Sequence, residues 1–214
     1  HIRRAIDDRR QAGQFILTGS AVPADDITRH TGAARMTRLR MRPMSLFETG
    51  HSTGTISLKI LLASSPGPCP DPGHTIEDVD TRVAIGGWPS HQTHTAPQAL
   101  RAMRDYLDEI RRVDISRVDN VRRDPDRVGR LLASLSRNVA TSVSISALAH
   151  DTGGADGPLK DDTVREYMAA LDRLMIIEDQ PAWAPHLRSR SILRTAPKRH
   201  FVDPSLAVAA LGAT

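Results

Sequence analysis

Two hydroxyls, Thr18 and Ser20, close a short apolar run, Gln14-Phe15-Ile16-Leu17, in the tripeptide Thr18-Gly19-Ser20. A run of that length stopped by a turn signal predicts a buried, parallel strand with polar groups at its tip. Thr-Gly-Ser is also a common strand-ending turn with no chemistry attached. Arg35 stands among Arg29, Arg38, Arg40 and Arg42, a density of guanidinium groups suited to phosphate charge or to a solvated basic face. A second basic set lies near the C-terminus: Arg165 and Arg173 within one helical stretch, then Arg188, Arg190, Arg194, Lys198 and Arg199. The helical pair is interleaved with Glu166 and Asp172 and preceded by Asp161 and Asp162, carboxylates that repel a nucleic-acid backbone. The later arginines are the better DNA contact. Other reactive side chains lack partners. Cys69 sits among prolines with no neighbouring base, and Ser20 lacks a Gly-x-Ser-x-Gly elbow. His91, His94, His150, His186 and His200 show no i, i+4 pair with a carboxylate and are expected to be surface imidazoles.

Composition narrows the classes. The chain has 214 residues, 39% of them apolar, enough for a core in one domain or two small ones. Its 29 basic and 25 acidic residues give a formal charge of +4, short of the dense positive field of a dedicated nucleic-acid binder. An aromatic content of 3% argues against base-stacking platforms. All the basic residues but Lys59, Lys160 and Lys198 are arginine, which we read as genomic codon bias before chemistry. Nothing resembles a membrane span or a secretory leader, and one cysteine excludes an internal disulfide framework. The expected location is the reducing cytoplasm, with no membrane partner.

These residues need elements to hold them. Ile2, Ala5 and Ile6 have helical spacing, the strand at 14–18 follows, and Arg38-Leu39-Arg40-Met41 alternates like a second strand. Helix and strand alternating in this way is the grammar of an α/β nucleotide-binding layer. Four prolines between Ser64 and Gly73 mark a linker, and Gly86-Gly87-Trp88-Pro89 marks a turn. From Pro97 onward Leu100, Met103, Leu107 and Ile110 form one helical face. Asp124-Pro125 is an N-cap with proline at the first helical position, followed by the stripe Val128, Leu131, Leu132 and Leu135. A shorter helix from about Ser144 to an end near Asp151-Thr152-Gly153-Gly154, a third from Asp161 through Leu174, and strands at 175–179 and 198–202 complete a winged helix-turn-helix pattern.

Gly13-Gln14-Phe15-Ile16-Leu17-Thr18-Gly19-Ser20-Ala21, followed by Leu39-Arg40-Met41-Arg42-Pro43-Met44-Ser45-Leu46-Phe47-Glu48, resembles the second half of an AAA-type P-loop ATPase core. With Gly86-Gly87-Trp88-Pro89, Tyr106–Ile110 and the stretch Lys198–Leu206, the order resembles bacterial and archaeal ATPases that carry a C-terminal DUF4143 domain. The resemblance implies a mixed, mainly α fold: a partial P-loop α/β core at 1–48, a linker and lid-like region at 49–96, and a connecting helix at 97–120. A winged-helix domain at 121–202 and the start of an incomplete third region at 203–214 follow. It casts Thr18 and Ser20 as phosphate sensors and Arg35 as a charge-neutralising arginine, although Ala34 stands where the family has glycine. ATP and Mg would serve the full-length family. This chain has no Gly-x4-Gly-Lys-Ser/Thr cradle and no strand ending in Asp-Glu, so it reads as an N-terminally truncated ATPase that by itself neither binds ATP tightly nor hydrolyses it. The alternatives are a winged-helix regulator touching DNA non-specifically through Arg165, Arg173, Arg188, Arg190, Lys198 and Arg199, or an inactive remnant. A further expectation is self-association, or pairing with a protein partner, through an open sheet edge at 14–18.

Overall fold

The computed structural model describes residues 2–9, 11, 13–21, 37–69, 71, 73–186, 188 and 190–213. The chain is mainly helical. It begins with α1 (Ile2–Arg9) and α2 (Leu58–Ala63), both short. A continuous body then runs through α3 (Ile76–Ile85), α4 (Ala96–Glu109), a π turn at Ile110–Asp114, α5 (Ile115–Arg117), α6 (Pro125–Arg137), α7 (Ile145–Gly153) and α8 (Asp161–Arg173). Strand β1 (Ile177–Gln180), α9 (Ser191–Arg194), strand β2 (Lys198–Phe201) and α10 (Pro204–Ala210) complete it.

Local chemistry fixes most helix ends. Asp124 accepts a hydrogen bond from the Asp126 amide, leaving Pro125 at the position where a missing N–H costs nothing. Ser144 caps α7 through the Ala147 amide, and Thr75 and Asp78 form a reciprocal capping box on α3. At the far end of α8, Met175 takes a left-handed conformation with φ 58°. The Ile176 amide reaches back to the Leu171 carbonyl and the Met175 amide to that of Asp172, a Schellman closure that turns the chain straight into β1.

The helices bury their stripes against one another. Val128, Leu131, Leu132 and Leu135 of α6 meet Leu148 of α7, Val164 and Leu171 of α8, and Leu206 of α10 in one core. Strands β1 and β2 pair antiparallel, with Ile177 opposite Phe201 and Asp179 opposite Arg199. Ile177 and Phe201 turn into the core. Beneath α8, the buried Arg123 binds both oxygens of Asp119 at 2.8 and 2.6 Å, donates to the Ile115 carbonyl, and lies 5.7 Å from the Tyr167 ring centroid. A desolvated cation is tolerated there because it is paired and bonded on several sides.

Among the described residues no N-terminal α/β layer is formed. Residues 14–18 have no regular structure, and Ile16 and Leu17 are 90% and 60% exposed. Residues 38–41 form no strand either, with Leu39 and Met41 turned to solvent. Among the described residues the sheet is β1–β2 alone, so the expected P-loop layer and its open edge at 14–18 are absent there. A buried parallel strand needs pairing strands beside it and helices on both faces, and a local apolar run cannot supply them.

Candidate functional site

Three elements converge on the outward side of α8. Its residues Arg165, Ala169 and Asp172, together with Glu178 and Asp179 of β1 and Arg199 of β2, line a groove of about 710 Å³. Arg40 and Arg42, from segment 37–42, which has no regular secondary structure, complete its lining. Arg40 contacts the Asp172 carboxylate at 3.1 Å and its main-chain carbonyl at 3.2 Å, and Arg42 pairs with Glu178. Arg165 is engaged by Asp162 at 2.9 Å and Asp161 at 3.8 Å, and Arg199 pairs with Asp179 across the hairpin. Every cation on this face therefore meets a carboxylate. Arg173, at the end of the same helix, turns away and donates to the Val118 carbonyl at 2.5 Å.

The basic residues of the β1–β2 connection are arranged differently. Arg188, Arg190, Arg194 and Lys198 are exposed, as is Trp183 at 84%. No aspartate or glutamate occurs anywhere from 181 to 198. The positive charge of the loop is thus not neutralised within its own sequence. Thr18 and Ser20 are exposed and line no part of the groove, and Arg35 lies outside the described residues.

A second cluster escaped sequence reading because its members are far apart in the chain. The Asp203 side chain is buried, and one of its oxygens accepts the Gly87 amide at 2.7 Å. The other accepts both the amide and the hydroxyl of Ser205, at 2.9 and 2.5 Å. The Ser205 oxygen in turn accepts from the Trp88 indole at 3.2 Å. Glycine is required at the centre: Gly86 has φ 68°, and a Cβ there would lie 2.1 Å from the Asp203 carboxylate. A Cβ at Gly87 would meet the Met44 carbonyl at 2.2 Å. The joint fastens the α3–α4 corner to α10. Its donors and acceptors satisfy one another, which makes it a structural clasp with no group left over for catalysis.

His91 sits beside this clasp and is 6% exposed, contrary to the expected surface imidazole. Burial and the adjacent His94, whose ring stacks at 5.1 Å, hold its pKa below the ordinary histidine value, opposed by the Ile85 carbonyl and Asp203. The Nδ1 atoms of both rings are buried without a hydrogen-bond partner. Among the described residues no group of three or more histidine, cysteine or acidic side chains is placed to hold a metal ion. Likewise among these residues, no helix is long and apolar enough to cross a membrane.

A family model for a domain of unknown function, DUF8612, matches residues 76–214, and the chain belongs to that family. This overturns the resemblance to DUF4143-type AAA ATPases and, with it, the reading of a truncated ATPase. The motifs behind that resemblance have another physical basis in this fold. Gly86-Gly87-Trp88 and Asp203 are the two halves of the clasp, and the N-terminal run that suggested a nucleotide layer builds no sheet. No curated protein and no solved structure matches the chain.

Proposed function

We propose that the chain is a winged-helix module that contacts nucleic-acid backbone through the loop between β1 and β2 and not through α8. The observation that carries this reading is the acid-free stretch 181–198, with Arg188, Arg190, Arg194 and Lys198 exposed on it. Three helices in the order α6, α7, α8, followed by an antiparallel hairpin, support the winged-helix assignment. In that architecture the third helix usually enters the major groove. Here Asp161 and Asp162 stand at its leading end and Arg165 is consumed by both, so the helix offers phosphates a repulsive tip. The loop cations bind without regard to sequence, because point charges on phosphates carry no base information.

Anisotropy of a labelled 20-base-pair duplex, followed over rising salt, tests the proposal. Four phosphate contacts give a slope of log K against log salt of about −3.6. Arg188→Glu with Arg190→Glu is expected to weaken binding and bring that slope down by about 2. Arg165→Glu should leave it nearly unchanged. Retention lost with Arg165 or Arg173 but indifferent to the loop would overturn the reading, as would no salt-dependent retention at all.

A further inference from the structure

Segment 37–42 reaches α8 and β1 through side chains of alternating positions, Arg40 and Arg42. In extended backbone Arg38, Arg40 and Arg42 share one side and Leu39 and Met41 the other. The structure uses that alternation: Arg40 and Arg42 reach into the groove, while Leu39 and Met41 are 88% and 83% exposed. No apolar side chain of 39–41 anchors the segment. Arg40 addresses a carboxylate and a main-chain carbonyl at once, which suits a planar, multi-donor guanidinium better than an ammonium. The carboxylates that Arg40 and Arg42 meet, on Asp172 and Glu178 respectively, project from two different elements, so their separation is fixed by α8 and the hairpin and not by the segment itself.

We propose that the α8–β1 groove is a docking site for an extended polypeptide segment with arginines at alternate positions, and that residues 38–42 occupy it in cis as an exchangeable stand-in for a partner's segment. Charge complementarity selects the ligand class: Asp172 and Glu178 attract guanidinium and exclude phosphate. Exchange follows from exposure. The Arg40 and Asp172 side chains are 30% and 54% exposed, and ion pairs this wet contribute little holding energy. About 710 Å³ stays open beside Arg40 and Arg42, which form part of its wall, so a longer segment has room to lie alongside the same carboxylates. The site is independent of the loop proposed to touch nucleic acid, and the two are tested on separate variants.

The probe is a fluorescein-labelled peptide with the sequence of residues 37–44, measured by anisotropy against the full chain. Removing the internal competitor, in the full chain with Arg40→Ser and Arg42→Ser, is expected to tighten peptide binding by about tenfold. Adding Asp172→Asn and Glu178→Gln to that variant should abolish it, and a peptide with lysine in place of the arginines should bind more weakly. Equal affinity for the unaltered chain and the Arg40/Arg42 variant would overturn the proposal, as would indifference to Asp172 and Glu178. Amide hydrogen exchange in the unaltered chain reads the same exchange without any substitution. Excess peptide should speed exchange at 38–42, and protection that stays constant there under saturating peptide would also overturn it.

Discussion

At the scale of single residues, the clasp around Asp203 sets the sharpest expectations. Gly86→Ala combines a left-handed backbone with a methyl group driven onto a buried carboxylate, and should destabilise the fold by about 3 kcal/mol or more in urea titration. An unchanged midpoint would mean that α10 is not held through this contact. His91 makes a pH prediction. Its folded pKa is depressed, so the unfolded chain binds more protons just below about pH 6.5. The sign follows: His91 costs nothing above that pH, and stability falls as pH drops from about 6.5 through the folded pKa. His91→Leu should flatten this part of the profile, measured as the urea midpoint between about pH 8 and pH 5. A profile as steep as the parent's would assign the titration to another group.

At the scale of elements, the body draws little on its N-terminal arm. Among the described residues none before Ala84 is buried, and the core runs from Met103 to Ala209. A chain starting at residue 76 loses the Met44–Gly87 backbone bond, the two arginine pairs, the Arg40 bond to the Asp172 carbonyl and the packing of the small Ala21 on the core, together about 2 kcal/mol. Calorimetry of that shortened chain should show one cooperative transition with Tm lowered by no more than about 6 °C. Loss of the transition would make the arm structural. The same contrast explains what could be read from sequence. Caps and stripes are local, so Asp124-Pro125, Ser144 and the acidic start of α8 gave helix boundaries within a residue or two of those observed. The apolar run at 14–17 was equally regular to the eye, but whether such a run becomes a buried strand depends on neighbours that no local pattern encodes.

At the scale of the whole molecule, charge is sorted more sharply than a formal +4 suggests. The hairpin loop is basic without a carboxylate, whereas the α8 face pairs each cation with an acid. The first fact was open to sequence reading. The second was not, because Arg40 and Asp172 are 132 residues apart and only the fold brings them together. Distance along the chain matters once more for the Gly87–Asp203 bond, whose ends are separated by 116 residues. During synthesis the α3–α4 corner emerges 116 residues ahead of that carboxylate and must wait for it. Until α10 has been made, the surfaces of α4 and α6 that it covers stay exposed, so this side of the core closes only after both of those helices are complete.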